Sequence, residues 1–391
     1  MNILVTGGAG FIGSHVVDLL LDRGDRVVIL DSLDPQVHGT GPGGSPVAWP
    51  EWTREARRRG ARLYQIELPD ADRVGTLLDH EQIEAVVHLA ARVGVGQSAY
   101  EIASYTETNA TGTASLLDEV AKRRDKIRRV VVAGSMSCYG EGAVLSARGV
   151  VPGWDRSEAD LVRGEWDLLD RFDLRCGDDG GGSFALPVAT REEIPLRCTS
   201  VYAETKRIQE ELTRIVCSTY GISWAVTRFF NVYGPRQALS NPYTGVAAIF
   251  SARIRAGRPP LVFEDGEQGR DFIHVDDVAR AVLALVDRPE AVGAFNVGTG
   301  VPTSIREVAE VLGRVLDRPD LGVEVTGRFR VGDVRTCFAD VRRIHEATGW
   351  RAEVGLHAGL SRLAAWVSAQ AEPEDGTDRA VRELRTRGLV R

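Results

Sequence analysis

A run of glycines directly after the first apolar stretch constrains the fold more than any other feature of the chain. The segment "NILVT" predicts a buried strand, and the pattern from Phe11 to Arg23 predicts a helix. Between them, "GGAGFIG" satisfies the dinucleotide fingerprint in two overlapping ways, Gly8-x-Gly10-x-x-Gly13 and Gly7-x-x-Gly10-x-x-Gly13. Glycines let the backbone turn tightly and approach a pyrophosphate at the positive helix N-terminus. The setting therefore predicts a dinucleotide site rather than a merely flexible turn.

An acidic residue at the end of the next strand indicates which dinucleotide is bound. The segment "RVVIL" predicts that strand, and Asp31 follows it. A carboxylate in this place accepts hydrogen bonds from a ribose 2′-hydroxyl and repels a 2′-phosphate, so NAD is favoured over NADP. We interpret the nearby Arg23 and Arg26 as solvated surface charges.

Strand and helix patterns alternate over about the first 135 residues and again from Val201 onward, which predicts right-handed βαβ units and a parallel sheet. After "NVYGPRQ" the elements become shorter, which predicts a smaller second lobe. About sixty residues between "SMSCYG" and "SVYAETK" interrupt the alternation and predict a long insertion. The charged stretch from about Ala371 is expected to fray.

Composition excludes several classes of partner. The 391 residues are 43% hydrophobic and carry a formal net charge of -7 without long blocks of like charge, which argues against nucleic acid or an anionic membrane surface. The N-terminus enters a strand at once, without a signal segment or an apolar span, and we expect a cytoplasmic protein. The five cysteines are scattered and form no Cys-x-x-Cys pair, so neither a disulfide framework nor a metal site is predicted.

A tyrosine and a lysine lie four residues apart in "SVYAETK". On a helix, Tyr202 and Lys206 share one face and can address the same ligand. The spacing alone is weak evidence for a catalytic pair, because it is frequent on exposed helical surfaces. Lys206 is nevertheless unusual, since the chain contains only two other lysines, Lys122 and Lys126. The surrounding motifs have to decide between catalysis and an exposed helix face.

Seven motifs in a specific order supply this context: "GGAGFIGSH", "HLAA", "NATGT", "SMSCYG", "YAETK", "FFNVYGPRQ" and "GRDFIHVDDVA". With them, the chain resembles the extended short-chain dehydrogenase/reductases that act on nucleotide sugars. The resemblance implies an α/β fold, namely a Rossmann-type doubly wound parallel sheet with a smaller C-terminal α/β substrate domain, and a homodimer that keeps NAD bound through turnover. We place the NAD domain at 1–245, with the insertion at about 140–196 and 271–292 returning to it, the nucleotide-sugar domain at 246–270 and 293–372, and a charged tail at 373–391.

The resemblance also assigns roles to individual residues. It implies that Tyr202 is the catalytic base, that Lys206 is its partner and holds the nicotinamide ribose, and that Ser135 hydrogen-bonds the reacting sugar oxygen. A phenol with a pKa of about 10 needs nearby positive charge to act near neutral pH. Asn109 supports this geometry, and Glu67 stands where an aspartate near the adenine is usual. The implied NAD contacts are Gly7, Gly10, Phe11, Ile12, Gly13, Asp31, Glu67, Leu68, Leu89, Ala90, Ala91, Asn109, Tyr202 and Lys206.

The two residues after Ser135 indicate the reaction. Related dehydratases carry an acid and a base there, whereas Met136 and Ser137 cannot do acid–base work near neutral pH. Elimination is therefore disfavoured, and reversible oxidation at C4, hence 4-epimerisation, is favoured. A net ketoreductase would use the same residues and stays open. A non-catalytic NAD-binding regulator is disfavoured because Ser135, Tyr202 and Lys206 are all present.

The implied substrate contacts are Ser137, Asn231, Phe263, Arg270, Arg330 and Asp333, and Arg335 is a weaker additional candidate. Arginine suits a diphosphate because its planar fork binds phosphate oxygens bidentately. Within the family, the chain is most similar to the dTDP-L-rhamnose 4-epimerase group, whose product is dTDP-6-deoxy-L-talose, although Cys176 has no close partner for the paired-cysteine element of that group. UDP-glucose or UDP-N-acetylglucosamine 4-epimerisation and dTDP-4-keto-6-deoxysugar reduction are the alternatives. We expect the insertion to pack over the sugar pocket as a lid or wall, since both its ends lie beside catalytic motifs.

Overall fold

Alternating strands and helices build a seven-stranded sheet, and the glycine loop follows Asn2–Thr6, a strand inside this sheet. A computed structural model describes residues 1–39, 48–172, 184–239, 245–371 and 376–391. Its strands are β1 (Asn2–Thr6), β2 (Arg26–Asp31), β3 (Arg62–Gln65), β4 (Ala85–His88), β5 (Arg129–Ser135), β6 (Ala143–Ser146), β7 (Gly149–Pro152), β8 (Leu186–Val188), β9 (Ser223–Phe229), β10 (Asn231–Tyr233), β11 (Leu261–Val262), β12 (Gly269–His274), β13 (Gly293–Val297), β14 (Pro302–Ser304), β15 (Glu324–Val325) and β16 (Thr336–Cys337).

The α-helices are α1 (Phe11–Asp22), α2 (Pro35–His38), α3 (Trp52–Arg58), α4 (Ala71–His80), α5 (Val95–Ser98), α6 (Ile102–Tyr105), α7 (Gly112–Lys122), α8 (Glu158–Val162), α9 (Val201–Tyr220), α10 (Val246–Arg255), α11 (Val275–Val286), α12 (Ile305–Val315), α13 (Arg342–Thr348), α14 (Leu356–Ser368) and α15 (Thr377–Thr386). None of these described helices is long and apolar enough to cross a membrane.

The central sheet has the strand order β13-β9-β5-β4-β1-β2-β3, and every neighbouring pair is parallel. The predicted doubly wound parallel sheet is thus confirmed. The strand order reverses between β1 and β4, and such a switch point opens a crevice at the carboxyl ends of the strands, where doubly wound folds bind ligands. The glycine loop follows β1 and therefore lies at this crevice.

Both faces of the sheet are covered, which explains why its strands are almost wholly apolar. Successive side chains point to opposite faces, so Ile3 and Val5 pack with α1 and α11, whereas Leu4 packs with α4, α7 and α9. The sheet is held between two helical layers, and this leaves the ends of its strands for function.

Two features of this domain differ from the sequence predictions. The strand β13, which our domain boundaries put in the smaller lobe, pairs in parallel with β9 as the outer strand of the central sheet. Because β13 runs parallel to β9, the chain between them has to cross over the sheet, and α11 is the last helix of this connection. The partner strand β9 lies far earlier in the sequence. The sequence pattern from Ile102 to Arg124 predicts one long helix, whereas the structure interrupts it with a π-helical turn at Thr106–Thr111.

The second lobe contains two small sheets. In one, β12 pairs with β10 and β16 in parallel and with β14 in the antiparallel sense, and in the other β11 pairs with β15. The helices α10, α12 and α14 pack around an apolar core that includes Tyr233, Phe250, Phe272, Leu312 and Leu360. This lobe borders the crevice of the central sheet.

The insertion folds as a fourth sheet, which is antiparallel and has the strand order β7-β6-β8. It has its own small core of Val144, Trp154, Leu168 and Ala185, and Phe172 meets the Trp154 ring edge-on at 5.6 Å. Cys176 and the turn "GDDGGGS" lie outside the described residues. The other four cysteines are free thiols.

The charged C-terminal stretch, which we expected to fray, instead forms α15, with Ala380 and Leu384 buried. Its amphipathic pattern explains the difference, because apolar residues four positions apart lie on one face of a helix. The charged side chains that dominate its composition occupy the other face.

Candidate active site

The glycine loop is shaped by backbone contacts that leave no space for side chains. Gly7 has a φ of +67°, and a Cβ built there would lie 2.7 Å from the backbone nitrogen of Ala90. A Cβ on Gly13 would lie 2.2 Å from the carbonyl oxygen of Gly7. Gly10 caps α1 without a side-chain hydrogen bond, so the first amides of this helix stay available to an anion. This cradle fits the pyrophosphate of a dinucleotide.

Asp31 ends β2 beside this loop and is 7% exposed. Its carboxylate accepts the Ala9 amide at 3.0 Å and the Leu33 amide at 2.9 Å, which fixes its orientation. A carboxylate has about four acceptor positions, so two hydrogen bonds leave capacity for ribose hydroxyls. Its place at the strand end fits the adenosine ribose of NAD.

Most of the residues predicted to contact the cofactor line the cleft, and Asn109 does not. The cleft is lined by Gly7, Gly10, Phe11, Ile12, Gly13, Asp31, Glu67, Leu68, Leu89, Ala90 and Ala91. Burial and the neighbouring Asp34 raise the pKa of Glu67. Asn109 does not belong to this wall.

Asn109 lies fully buried inside the π-helical turn, behind the cleft. Its side-chain amide donates to the Arg92 carbonyl at 3.1 Å and to the Thr205 hydroxyl at 3.0 Å, and its oxygen accepts the Arg92 amide at 2.8 Å. Thr205 precedes Lys206 on α9. Asn109 therefore lies behind the cleft wall, and its contacts suit the support of the loop after β4 and of α9.

The predicted catalytic trio meets at the junction of β5 and α9. Ser135 ends β5, and its Oγ lies 3.0 Å from the Ser137 Oγ. The N-terminus of α9 is held because the Tyr202 amide donates to Ser98 Oγ at 3.1 Å. Lys206 reaches the Ala133 carbonyl with its Nζ at 3.0 Å. Ser135, Tyr202 and Lys206 all line the same cleft.

Burial sets the protonation of the tyrosine and the lysine. It raises the pKa of Tyr202 to about 12, against the opposing effect of a hydrogen bond with Ser135. Burial also lowers the pKa of Lys206 from 10.5 to about 8. Without cofactor, the phenol is therefore protonated near neutral pH. Further positive charge in the cleft would favour the phenolate.

The predicted substrate residues also line the cleft: Ser137, Asn231, Phe263, Arg270, Arg330 and Asp333. The Arg270 guanidinium donates to Asp333 Oδ1 at 2.9 Å and to the Arg335 carbonyl at 3.1 Å. The Arg330 guanidinium lies 4.7 Å from the centre of the Phe263 ring. Asn231 Oδ1 is buried without a hydrogen-bond partner among the described residues. A buried polar atom of this kind is costly unless a ligand pairs with it.

Arg335 does not join this group. It lies outside the cleft wall, and its guanidinium is occupied by Asp167 at 2.7 Å and Asp265 at 2.6 Å. The structure therefore does not bring Arg335 together with the predicted substrate residues that line the cleft.

None of the described residues of the insertion lines the cleft. Our expectation that the insertion forms a lid over the sugar pocket is therefore not met for this part of the chain. The insertion packs behind the substrate side instead. Arg156 pairs with Glu141 at 3.0 Å and with Glu264 at 2.9 Å, and it donates to the Asp333 carbonyl at 2.8 Å. It thus braces the segments that carry Phe263 and Asp333.

Several residues of the cleft are not predicted as site residues by any sequence pattern. Gln237 and Gln268 are both buried in its wall, and each has an Oε1 without a partner among the described residues. Gln237 ends the motif "FFNVYGPRQ" and Gln268 directly precedes the motif "GRDFIHVDDVA", but neither pattern indicates where these side chains point. The C-terminal segment also lines the cleft, with Thr377, Ala380, Val381, Leu384 and Leu389.

The cleft has a volume of about 1870 Å³. Sites for single small ligands usually measure about 300–1,000 Å³. The cleft is continuous from the glycine loop to Arg330. It has room for a dinucleotide and a second nucleotide ligand together.

Comparison with known proteins gives consistent matches. The model of the NAD dependent epimerase/dehydratase family matches residues 3–151 and 181–298. The chain is 35% identical to a dTDP-L-rhamnose 4-epimerase of Burkholderia thailandensis, over 95% of this chain and 96% of the relative. Its structure resembles that of Thermotoga maritima UDP-glucose 4-epimerase with UDP-glucose (TM-score 0.72, 28% identity, 94% and 99% of the chains). It also resembles Thermus thermophilus UDP-glucose 4-epimerase with NAD (TM-score 0.69, 28% identity, 95% and 100%).

Proposed function

Since the chain belongs to the NAD dependent epimerase/dehydratase family and is an NAD-dependent nucleotide-sugar epimerase, we propose that it inverts C4 of dTDP-L-rhamnose to give dTDP-6-deoxy-L-talose. The observation that carries the reaction type is the convergence of Ser135, Tyr202 and Lys206 in one cleft, next to Met136 and Ser137, which offer no acid and base for elimination. The choice of sugar is supported by the similarity to the Burkholderia enzyme.

In this proposal, each residue has a defined task. NAD, held by the glycine loop and Asp31, would supply reversible hydride transfer at C4. Tyr202 removes the proton of the C4 hydroxyl, and Ser135 hydrogen-bonds the oxygen as it becomes a carbonyl. Lys206 contributes positive charge that favours the phenolate and holds the nicotinamide ribose. The buried environment excludes water from the 4-keto sugar.

The substrate-binding residues have to hold the nucleotide diphosphate in place while the sugar rotates. Arg270 and Arg330 would bind the diphosphate, and Phe263 offers an aromatic face to the base. Asn231 and its unpaired oxygen would meet a donor of the substrate. With the diphosphate held, the keto sugar can rotate about its link to phosphate and present its other face for reduction.

A panel of nucleotide sugars tests the proposal. The purified protein with bound NAD is incubated separately with dTDP-L-rhamnose, UDP-glucose and UDP-N-acetylglucosamine, and the configuration at C4 is read by NMR. We expect dTDP-L-rhamnose to equilibrate with its C4 epimer without net use of added NADH. Faster conversion of a UDP-sugar would refute the proposed substrate, and steady NADH consumption with a dTDP-4-keto-6-deoxysugar would indicate a reductase. The homodimer and the cytoplasmic location stay predictions, and sedimentation velocity tests the first.

A further inference from the structure

The C-terminal segment, residues 377–391, is attached to the substrate lobe at two places. Asp378 forms ion pairs with Arg253 at 2.8 Å and with Arg258. Farther on, the backbones of Phe329 and Arg391 exchange two hydrogen bonds of 3.0 Å. The Val331 amide donates to the Leu389 carbonyl at 3.1 Å. The segment therefore runs beside Arg330, which we propose as a diphosphate ligand.

The same segment also touches the NAD domain near the proposed catalytic base. The Arg387 guanidinium lies 4.0 Å from the centre of the Tyr100 ring. Leu384 is 7% exposed and lies against α5, where a Cβ on Gly96 would be 3.4 Å from its Cδ2 atom. Ser98, in the same short helix, accepts the hydrogen bond from the Tyr202 amide. The segment thus reaches the element that positions Tyr202.

These attachments join the segment to the substrate lobe at one end of the cleft and to α5 of the NAD domain. The sugar has to lie between Tyr202, which acts at C4, and Arg330, which holds the diphosphate. The segment spans the same interval and lines the cleft with four apolar side chains, Ala380, Val381, Leu384 and Leu389, and with Thr377. Arg379, Arg382 and Arg385 are exposed on the outer face of the helix.

We infer that residues 377–391 form a wall of the sugar subsite and select a sugar with a methyl group at C6 over one with a hydroxymethyl group. This inference rests on the proposed function, whose substrate is a 6-deoxy sugar, and assigns recognition of the C6 methyl group to this segment. An apolar wall accepts a methyl group, whereas a hydroxyl against it loses water without gaining a partner. An unpaired hydroxyl costs roughly tenfold to hundredfold in affinity.

Two ligands that differ only in this group provide the test, dTDP-L-rhamnose and dTDP-L-mannose. Their dissociation constants are measured by calorimetry with the NAD-bound protein. We expect the wild-type protein to bind the 6-deoxy ligand at least about tenfold more tightly. Leu384→Ser, which gives the wall a hydroxyl, should reduce this ratio to about threefold or less. Arg382→Ala, on the outer face of the same helix, should keep the wild-type ratio.

Folding of the variants is checked by their NAD content and thermal unfolding. If Leu384→Ser does not retain NAD, the ratio of the two dissociation constants is measured with Val381→Ser instead, because Val381 is half-buried in the same wall. Equal affinities of wild-type protein for both ligands, or an unchanged ratio in a folded wall variant, would overturn the inference. Binding is measured apart from turnover, so these outcomes differ from failure of the proposed function, which is absence of C4 epimerisation in a protein that still prefers the 6-deoxy ligand.

Discussion

Replacing Lys206 by methionine should stabilise the cofactor-free protein near neutral pH, even though Lys206 is one of the residues that we propose for catalysis. The side chain is 3% exposed, and its Nζ has a backbone carbonyl within hydrogen-bond distance. Methionine keeps the length and the apolar stem of the side chain and removes the charge. The change therefore isolates the cost of burying an ammonium group.

The pKa values give the magnitude and the sign. Burial lowers the pKa of Lys206 from 10.5 to about 8. Between these values the unfolded chain holds a proton that the folded chain has lost, so stability rises with pH. Below pH 8 the cost is complete and amounts to about 3 kcal/mol, at 1.36 kcal/mol for each pKa unit. It fades as the pH approaches 10.5.

Urea unfolding of the NAD-free wild type and of Lys206→Met at two pH values measures this effect. Relative to the variant, the wild type should gain about 2 kcal/mol in free energy of unfolding between about pH 7 and about pH 9.5. The lost hydrogen bond to Ala133 and the changed packing shift the difference between the two proteins by an amount that does not depend on pH. Other groups titrate in both proteins and cancel.

Lys126→Met is the matched control, because the Lys126 side chain is 61% exposed and pairs only at 3.6 Å with Asp79. Substitutions of exposed residues of this kind change the free energy of unfolding by no more than about 0.5 kcal/mol. A difference between wild type and Lys206→Met that does not change with pH would refute the reasoning. It would mean that the ammonium group is better solvated in the folded protein than its burial indicates.

Three further variants test the site. Tyr202→Phe should keep NAD binding and lower kcat by about 10²–10⁴-fold, because the proton transfer is lost while the shape is kept; activity like that of the wild type would contradict the role of the phenol. Asp31→Ala should weaken NAD binding by roughly tenfold to hundredfold and relax the preference over NADP, and titration with both cofactors decides this. Arg156→Met removes the buried arginine that pairs with Glu141 and one of the two arginines that pair with Glu264, and it should lower the free energy of unfolding by about 3 kcal/mol, measured by urea unfolding. An unchanged midpoint would mean that water already solvates these carboxylates.

Local patterns predicted the helices and strands that form from neighbouring residues. The glycine loop, α9 and α10 follow from spacing and apolar periodicity, and the motifs brought Ser135, Tyr202 and Lys206 to one cleft. Patterns could not place β13, because the partner of a strand is a long-range choice. Arg335 carried no sign of its acidic partners, which come from distant parts of the chain. In α15, the apolar stripe was present but was obscured by the surrounding charges.

The position of Arg156 has a mechanical consequence for a reaction in which the sugar must rotate inside the protein. Its charge network joins the insertion to the segments of Phe263 and Asp333 from the side that faces away from the cleft. If these segments bind the diphosphate as proposed, the diphosphate is held in a fixed position. The sugar then rotates about the bonds that link it to the phosphate. Motion is then confined to the substrate, and the protein can return hydride to the opposite face of C4 without opening.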